Sequence, residues 1–96
     1  MSDVITAAVA ALSEKLGDGA FDGAAKFVIE GEGAVMVDAG GVRAADEPAD
    51  VTLTASAETF QDMMTGDLNP TSAFMSGKLT VDGDMGMAMQ LGGLLA

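Results

Sequence analysis

Fifteen carboxylates against four cations dominate the reactive side chains of this 96-residue chain, which has no histidine, cysteine, tryptophan or tyrosine. Without imidazole, the usual general base near neutral pH and the commonest metal ligand are both missing. A Ser or Thr nucleophile therefore lacks its usual activating partner, and thiolate chemistry and Cys metal sites are excluded. Paired carboxylates could still do acid–base work, but most acids fall on solvated faces or at helix starts, which favours a surface role. Asp18-Gly19-Ala20-Phe21-Asp22-Gly23 partly resembles a calcium loop. That loop needs oxygen ligands at positions 3 and 12, where this chain has Ala20 and Ile29, so a plain turn is the better reading. Gly31-Glu32-Gly33 precedes a strand rather than a helix and lacks a third glycine, so it reads as a hairpin turn and not a phosphate cradle. The residues assign no catalytic group, no metal site and no cofactor.

Methionine is the unusual type. Of eight, Met63, Met64, Met75, Met85, Met87 and Met89 cluster in the C-terminal half. Met is flexible and polarizable, so it suits surfaces that accept varied apolar shapes. Two readings stay open: ordinary core filling and an adaptable apolar cavity. So many deformable side chains specify a small core poorly, which leans toward the cavity.

The elements that would carry these residues follow from periodicity. Asp3 to Leu16 reads as an amphipathic helix with Ile5, Ala8, Val9, Leu12 and Leu16 on one side, Ser2 as cap and Gly17 as stop. In the loop from Gly17 to Gly23, Phe21 is expected to fold back onto the core. Four segments then alternate at period two: Ala24 to Glu30, Ala34 to Asp38, Asp50 to Ser56 and Lys78 to Asp82. A shorter strand around Gly41 to Ala45 precedes the Pro48 break. Such alternation means one buried and one wet face, as in antiparallel sheets. Between the last two strands lie two short helices, Ala57 to Thr65 capped by Ser56 and stopped by Gly66, and one opened by Asn69-Pro70 and ended before Gly77. Asp84 caps a final helix from Met85 toward Leu95 in which only Gln90 is polar. A helix apolar nearly all round is buried or meets a ligand or partner on its second side. A one-faced sheet must lie under these helices, giving an α/β (α+β) domain over residues 1–96.

An apolar fraction of 49% argues for a folded domain despite a net charge of −11. With Lys15, Lys26, Arg43 and Lys78 scattered, nucleic acid is not expected as a partner, nor is an anionic membrane surface. The longest uncharged stretch, Met85 to Ala96, is twelve residues, too short to span a bilayer, and no secretory signal opens the chain. A cytoplasmic protein is expected, with a monomer favoured.

Four pieces in order, Ala49-Asp-Val-Thr-Leu-Thr54, Phe60-Gln-Asp-Met-Met-Thr-Gly66, Asn69-Pro-Thr-Ser-Ala-Phe-Met-Ser-Gly-Lys-Leu79 and Val81-Asp-Gly-Asp-Met85, resemble the sterol carrier protein 2 (SCP2) domain family. The resemblance is strong from Ala49 to Leu91 and extends as pattern from Ile5 to Asp46. It implies a five-stranded, largely antiparallel sheet, with helices covering one face and an apolar cavity between the layers. The implied function is non-catalytic binding and transfer of lipids: fatty acids, acyl-CoA, phospholipid or sterol-like ligands. Carried over by position, the cavity lining is expected from Phe60, Met63, Met64, Phe74, Met75, Met85, Met89 and Leu91, with the entrance near Thr65 to Asn69 and the last helix. Transient membrane contact would fit such a carrier. Many relatives carry a large aromatic where this chain has Val35, which argues against sterol as ligand. The chain ends Leu94-Leu95-Ala96 rather than in a Ser-Lys-Leu type signal, so no peroxisomal address is expected, and it looks like a stand-alone bacterial member. The alternative is a structural or protein-interaction module that docks through the apolar C-terminal helix.

Overall fold

In the computed structural model, which describes residues 3–16 and 23–95, the alternating segments form β1 (Ala25–Ile29), β2 (Gly33–Asp38), β3 (Gly41–Ala44), β4 (Val51–Ala55) and β5 (Leu79–Gly83). The helices are α1 (Asp3–Leu16), α2 (Ala57–Thr65), α3 (Pro70–Met75) and α4 (Met85–Leu95). The strands make one sheet in the order β3-β2-β1-β4-β5. All neighbours are antiparallel except the central pair β1 and β4, which run parallel. The Ser2 cap, the Gly17 stop, the inward fold of Phe21 and the Asp18 to Asp22 turn lie outside the described residues.

Alternation selects the buried face. Ala25, Phe27 and Ile29 of β1 and Val51, Leu53 and Ala55 of β4 are buried, while the residues between them are half-buried. Register then places Val35, Phe27, Leu53 and Val81 abreast across four strands. This face shares one core with Ile5, Ala8 and Leu12 of α1, Phe60 and Met63 of α2, Ala73 of α3, and Ala88 and Leu91 of α4. The Phe27 and Phe60 rings meet edge to face at 5.8 Å, an arrangement worth about 1 kcal/mol beyond its buried area. All four helices thus pack on one side of the sheet.

Helix boundaries follow local chemistry. Ser56 accepts a hydrogen bond from the Thr59 N–H at 3.1 Å, and Gly66 closes α2 in the left-handed conformation. Asn69 accepts from the Thr71 N–H with Pro70 in the first turn, and Asp84 accepts from the Met87 N–H.

Met36 departs from the alternation. It belongs to the outer row between Lys26 and Arg43, yet is buried without joining the inner core. The parallel placement of β4 explains it. Residues 45–50 must carry the chain past β2 and β1, roughly 14 Å sideways at the usual strand spacing. So short a link lies flat across the outer face, where Asp46 pairs with Lys26 at 2.8 Å and Glu47 pairs with Arg43. The link ends at Asp50, which ties three elements together. Its N–H donates to the Ala24 carbonyl, its carboxylate accepts from the Ala24 N–H, and its carbonyl accepts from the Asp84 N–H.

Gly83 lies against that knot at φ +110°, and a Cβ there would sit 2.4 Å from the Asp50 carbonyl oxygen. Gly83→Ala should cost roughly 2 kcal/mol or more. Gly31→Ala, at φ +79° with open space around it, should cost about 1 kcal/mol. Urea titration of the two variants checks the difference.

At the β2–β3 turn, Arg43 donates to both Asp38 carboxylate oxygens at 3.0 and 2.9 Å, and the Gly40 N–H donates to Oδ1. First the Arg43 bonds and then the Gly40 bond hold the Asp38 pKa below its ordinary 3.8. A depressed folded-state pKa contributes stability above the unfolded value and loses it as pH falls through the folded one. Carboxyl-carbon NMR should place the Asp38 midpoint below 3.8, and Arg43→Ala should move it upward with little change in global stability, because the pair faces solvent.

Candidate functional site

The inner face is not covered evenly. Helix α1 lies over β2 and β3 and touches α2 and α4, while α3 packs beside β5 and α4 over β4 and β5. Between α3, α4 and the sheet is a cavity of about 470 Å³, within the usual range for small-molecule sites. Phe27, Leu53, Leu79 and Val81 form its floor, with Met63 from α2. Asn69, Pro70, Thr71, Phe74 and Met75 supply the α3 side, and Met85, Ala88, Met89, Gly92 and Gly93 the α4 side.

Sequence spacing explains why α4 serves two purposes. Ala88 and Leu91, three apart, turn into the core, whereas Met85 and Met89, four apart, line the cavity with Gly92 and Gly93. Gly92 and Gly93 help to make the space. A Cβ on Gly92 would come no closer than 3.8 Å to Pro70, and one on Gly93 would meet nothing within 4 Å. The isolated helical glycines thus mark volume where side chains would otherwise stand.

Of the eight residues expected at the lining, Met63, Phe74, Met75, Met85 and Met89 are brought together around this cavity. Phe60, Met64 and Leu91 are not on its wall. Phe60 meets Phe27 edge to face within the core, Leu91 is fully buried there, and Met64 packs against it half-buried. Each sits within about one helical turn of a cavity-facing position: on α4 no polar stripe fixes which step is which, and on α2 the polar stripe of Glu58, Gln61 and Asp62 marks the buried side without saying which buried residue meets the cavity. The floor residues were legible as the buried row of the strands, whereas Gly92 and Gly93 went unread within an apolar helix. Asn69, Pro70 and Thr71 read only as a cap and a helix start.

The cavity opens between α3 and α4. Four of its large apolar lining residues reach solvent: Phe74 at 42%, Met75 at 80%, Met85 at 46% and Met89 at 76% exposure. If 470 Å³ were sealed and empty, the missing contacts would cost on the order of 10 kcal/mol, comparable to the whole stability of a small domain. An open mouth removes that conflict, because solvent or a ligand can fill the space. No charged side chain lines the wall, and among the described residues no group of three or more acids could hold a metal ion. The site can enclose an apolar body, and its polar side chains, Asn69 and Thr71, are exposed. Among the described residues no helix is long and apolar enough to cross a membrane.

Comparison with known proteins agrees with this architecture. The chain is 46% identical over 65 residues to peroxisomal multifunctional enzyme A of Dictyostelium discoideum, matching 68% of this chain and 14% of that protein. It is 39% identical over 80 residues to human sterol carrier protein 2, matching 80% of this chain and 14% of that protein. The chain therefore spans only a small part of the length of these relatives. Among solved structures, the sterol carrier protein domain 2 of Helicoverpa armigera superposes with a TM-score of 0.77 at 28% identity, covering 96% of this chain and 85% of the other. The fold also matches the sterol carrier protein 2 of Aedes aegypti in complex with palmitate, with a TM-score of 0.77 at 22% identity, covering 100% and 97% of the two chains. The fold is thus that of SCP2 domains, and because the model of the SCP-2 sterol transfer family matches residues 10–96, the chain belongs to that family.

Proposed function

We propose that residues 1–96 form one non-catalytic domain that binds the apolar part of a single lipid between the sheet and helices α3 and α4, and carries it. The observation that supports this most directly is the open cavity walled by apolar side chains, five of them methionines or phenylalanines on α3, α4 and β1. Apolar burial would drive binding at about 0.8 kcal/mol per methylene as an upper guide. Met63, Phe74, Met75, Met85 and Met89 would adapt to the chain through their flexible or rotatable side chains, while Phe60, Met64 and Leu91 would support the wall from behind. The candidate ligands are fatty acids, acyl-CoA esters, phospholipids and sterol-like molecules. Family membership and the palmitate complex of the Aedes aegypti protein support an acyl-chain ligand.

Binding should be visible by displacement of a fluorescent lipid and by native mass spectrometry of protein purified without detergent. Free lipid at a hundred times its dissociation constant should stabilise the fold by about 2.7 kcal/mol. Gly92→Leu separates site from scaffold. It places a side chain into the cavity from an unstrained helical position, so lipid affinity should fall at least tenfold while the helix gains up to about 1 kcal/mol. Undiminished binding by this variant would move the site elsewhere, and absence of lipid from every preparation would remove the reading altogether.

A protein-interaction module is the second reading, favoured by the exposure of Met75 and Met89 at 80% and 76%. Met75→Ser with Met89→Ser discriminates the two. Light scattering that shows the wild-type chain self-associating, and the double variant monomeric, would support the interaction module.

A further inference from the structure

We infer that Met75 and Met89 are an oxidation site: a small peroxide converts them to sulfoxides, and the cavity then holds lipid less tightly. The second half of this inference rests on the lipid-binding reading, whereas the first stands on composition and exposure alone.

Composition narrows the target. Cysteine, tryptophan, tyrosine and histidine are all absent, so no thiol, indole, phenol or imidazole competes with methionine for an oxidant. A thioether needs no activating base. The sulfur lone pair attacks one oxygen of hydrogen peroxide, the O–O bond breaks and an S–O bond forms. The other oxygen leaves as water, taking the hydrogen that the transferred oxygen carried. Sulfur loses two electrons and the peroxide gains them.

The fold narrows it further, because oxidation follows the access of peroxide to sulfur. Met36 and Met63 are each 1% exposed, Met64 and Met87 are half-buried, and Met85 is more open. Met75 and Met89 are the most exposed methionines among the described residues. Both line the cavity, Met75 as the last residue of α3 and Met89 from within α4, so each lip of the mouth carries one. Packing has thus sorted one residue type into a protected interior and a reactive rim.

What oxidation does at the rim follows from polarity. A sulfoxide replaces the soft apolar sulfur with a polar, chiral centre. In the free domain both side chains stand in water, so the change costs the fold little. With lipid seated, these two side chains would cover its apolar part at the mouth, and a sulfoxide laid there gives up its hydrogen bonds to water. Oxidation therefore acts against the bound state rather than against folding.

The test treats the full chain with hydrogen peroxide and follows each methionine by peptide mapping, alongside the affinity for a fluorescent fatty acid. Sulfoxide should form at Met75 and Met89 many-fold faster than at Met36 and Met63. Affinity should fall roughly three- to tenfold as those two react, with little change in melting temperature. Reduction by the two methionine sulfoxide reductases, one for each epimer, should restore it. The double variant Met75→Leu with Met89→Leu keeps apolar side chains on the rim and, whatever its starting affinity, should no longer respond to peroxide. Oxidation of Met36 or Met63 as fast as Met75, unchanged affinity with both rim sulfurs oxidised, or an equal fall in the double variant would each overturn the inference while leaving lipid binding intact. Failure of the untreated protein to bind the probe would instead remove the lipid-binding reading and the effect on lipid with it, and the peptide map would still decide whether the rim is the oxidation site.

Discussion

Everything in this fold depends on the parallel pairing of β1 with β4 at the centre of an otherwise antiparallel sheet. Antiparallel neighbours can be joined by tight turns, but a parallel neighbour demands a chain that crosses the sheet. Here that crossing is residues 45–50, too short to hold a helix, lying along the outer face. With the outer side occupied by this strap and its ion pairs, the helices pack on the inner side. The apolar row of Val35, Phe27, Leu53 and Val81 is left for them to cover. Coverage by α1 extends over β2 and β3 and is incomplete from β1 toward β5, and the incompleteness is the cavity.

Much of this was legible in the residues. Strict alternation in Ala25–Ile29 and Val51–Ala55 identified the buried face, and Ser56, Asn69, Gly66 and Asp84 marked helix ends where the backbone bonds are found. Parallel pairing was not legible, because an alternating strand with one wet face reads the same whichever way its neighbour runs. The burial of Met36 on the outer face was not legible for the same reason: what covers it is a loop fixed by topology, not by local sequence.

The site was legible in kind and less so in detail. An excess of Met on the C-terminal helices points to an apolar volume, and Met63, Met75, Met85 and Met89 do surround one. Rotation of α4 cannot be read from its pattern, so Leu91 looked equivalent to residues that face the cavity, and the apolar side of α2 does not distinguish core from cavity, so Phe60 did too. The contribution of Gly92 and Gly93 was overlooked because a missing side chain carries no chemical label. In a small domain, where every buried methyl matters, an interior space is marked as much by the residues left out as by those put in.

The Asp50 knot has a mechanical consequence. It fastens the first residues of α4 to the sheet through the Asp84 N–H, beside Gly83, whose backbone has no side chain to resist rotation. Further along, Ala88 and Leu91 are buried in the core that α4 shares with α1 and the sheet, while on the α3 side Gly92 faces the small ring of Pro70. The helix is thus held at its start by a backbone bond and along one face by Ala88 and Leu91, so the face that carries Met85 and Met89 can rearrange its flexible side chains around an occupant without unseating the helix.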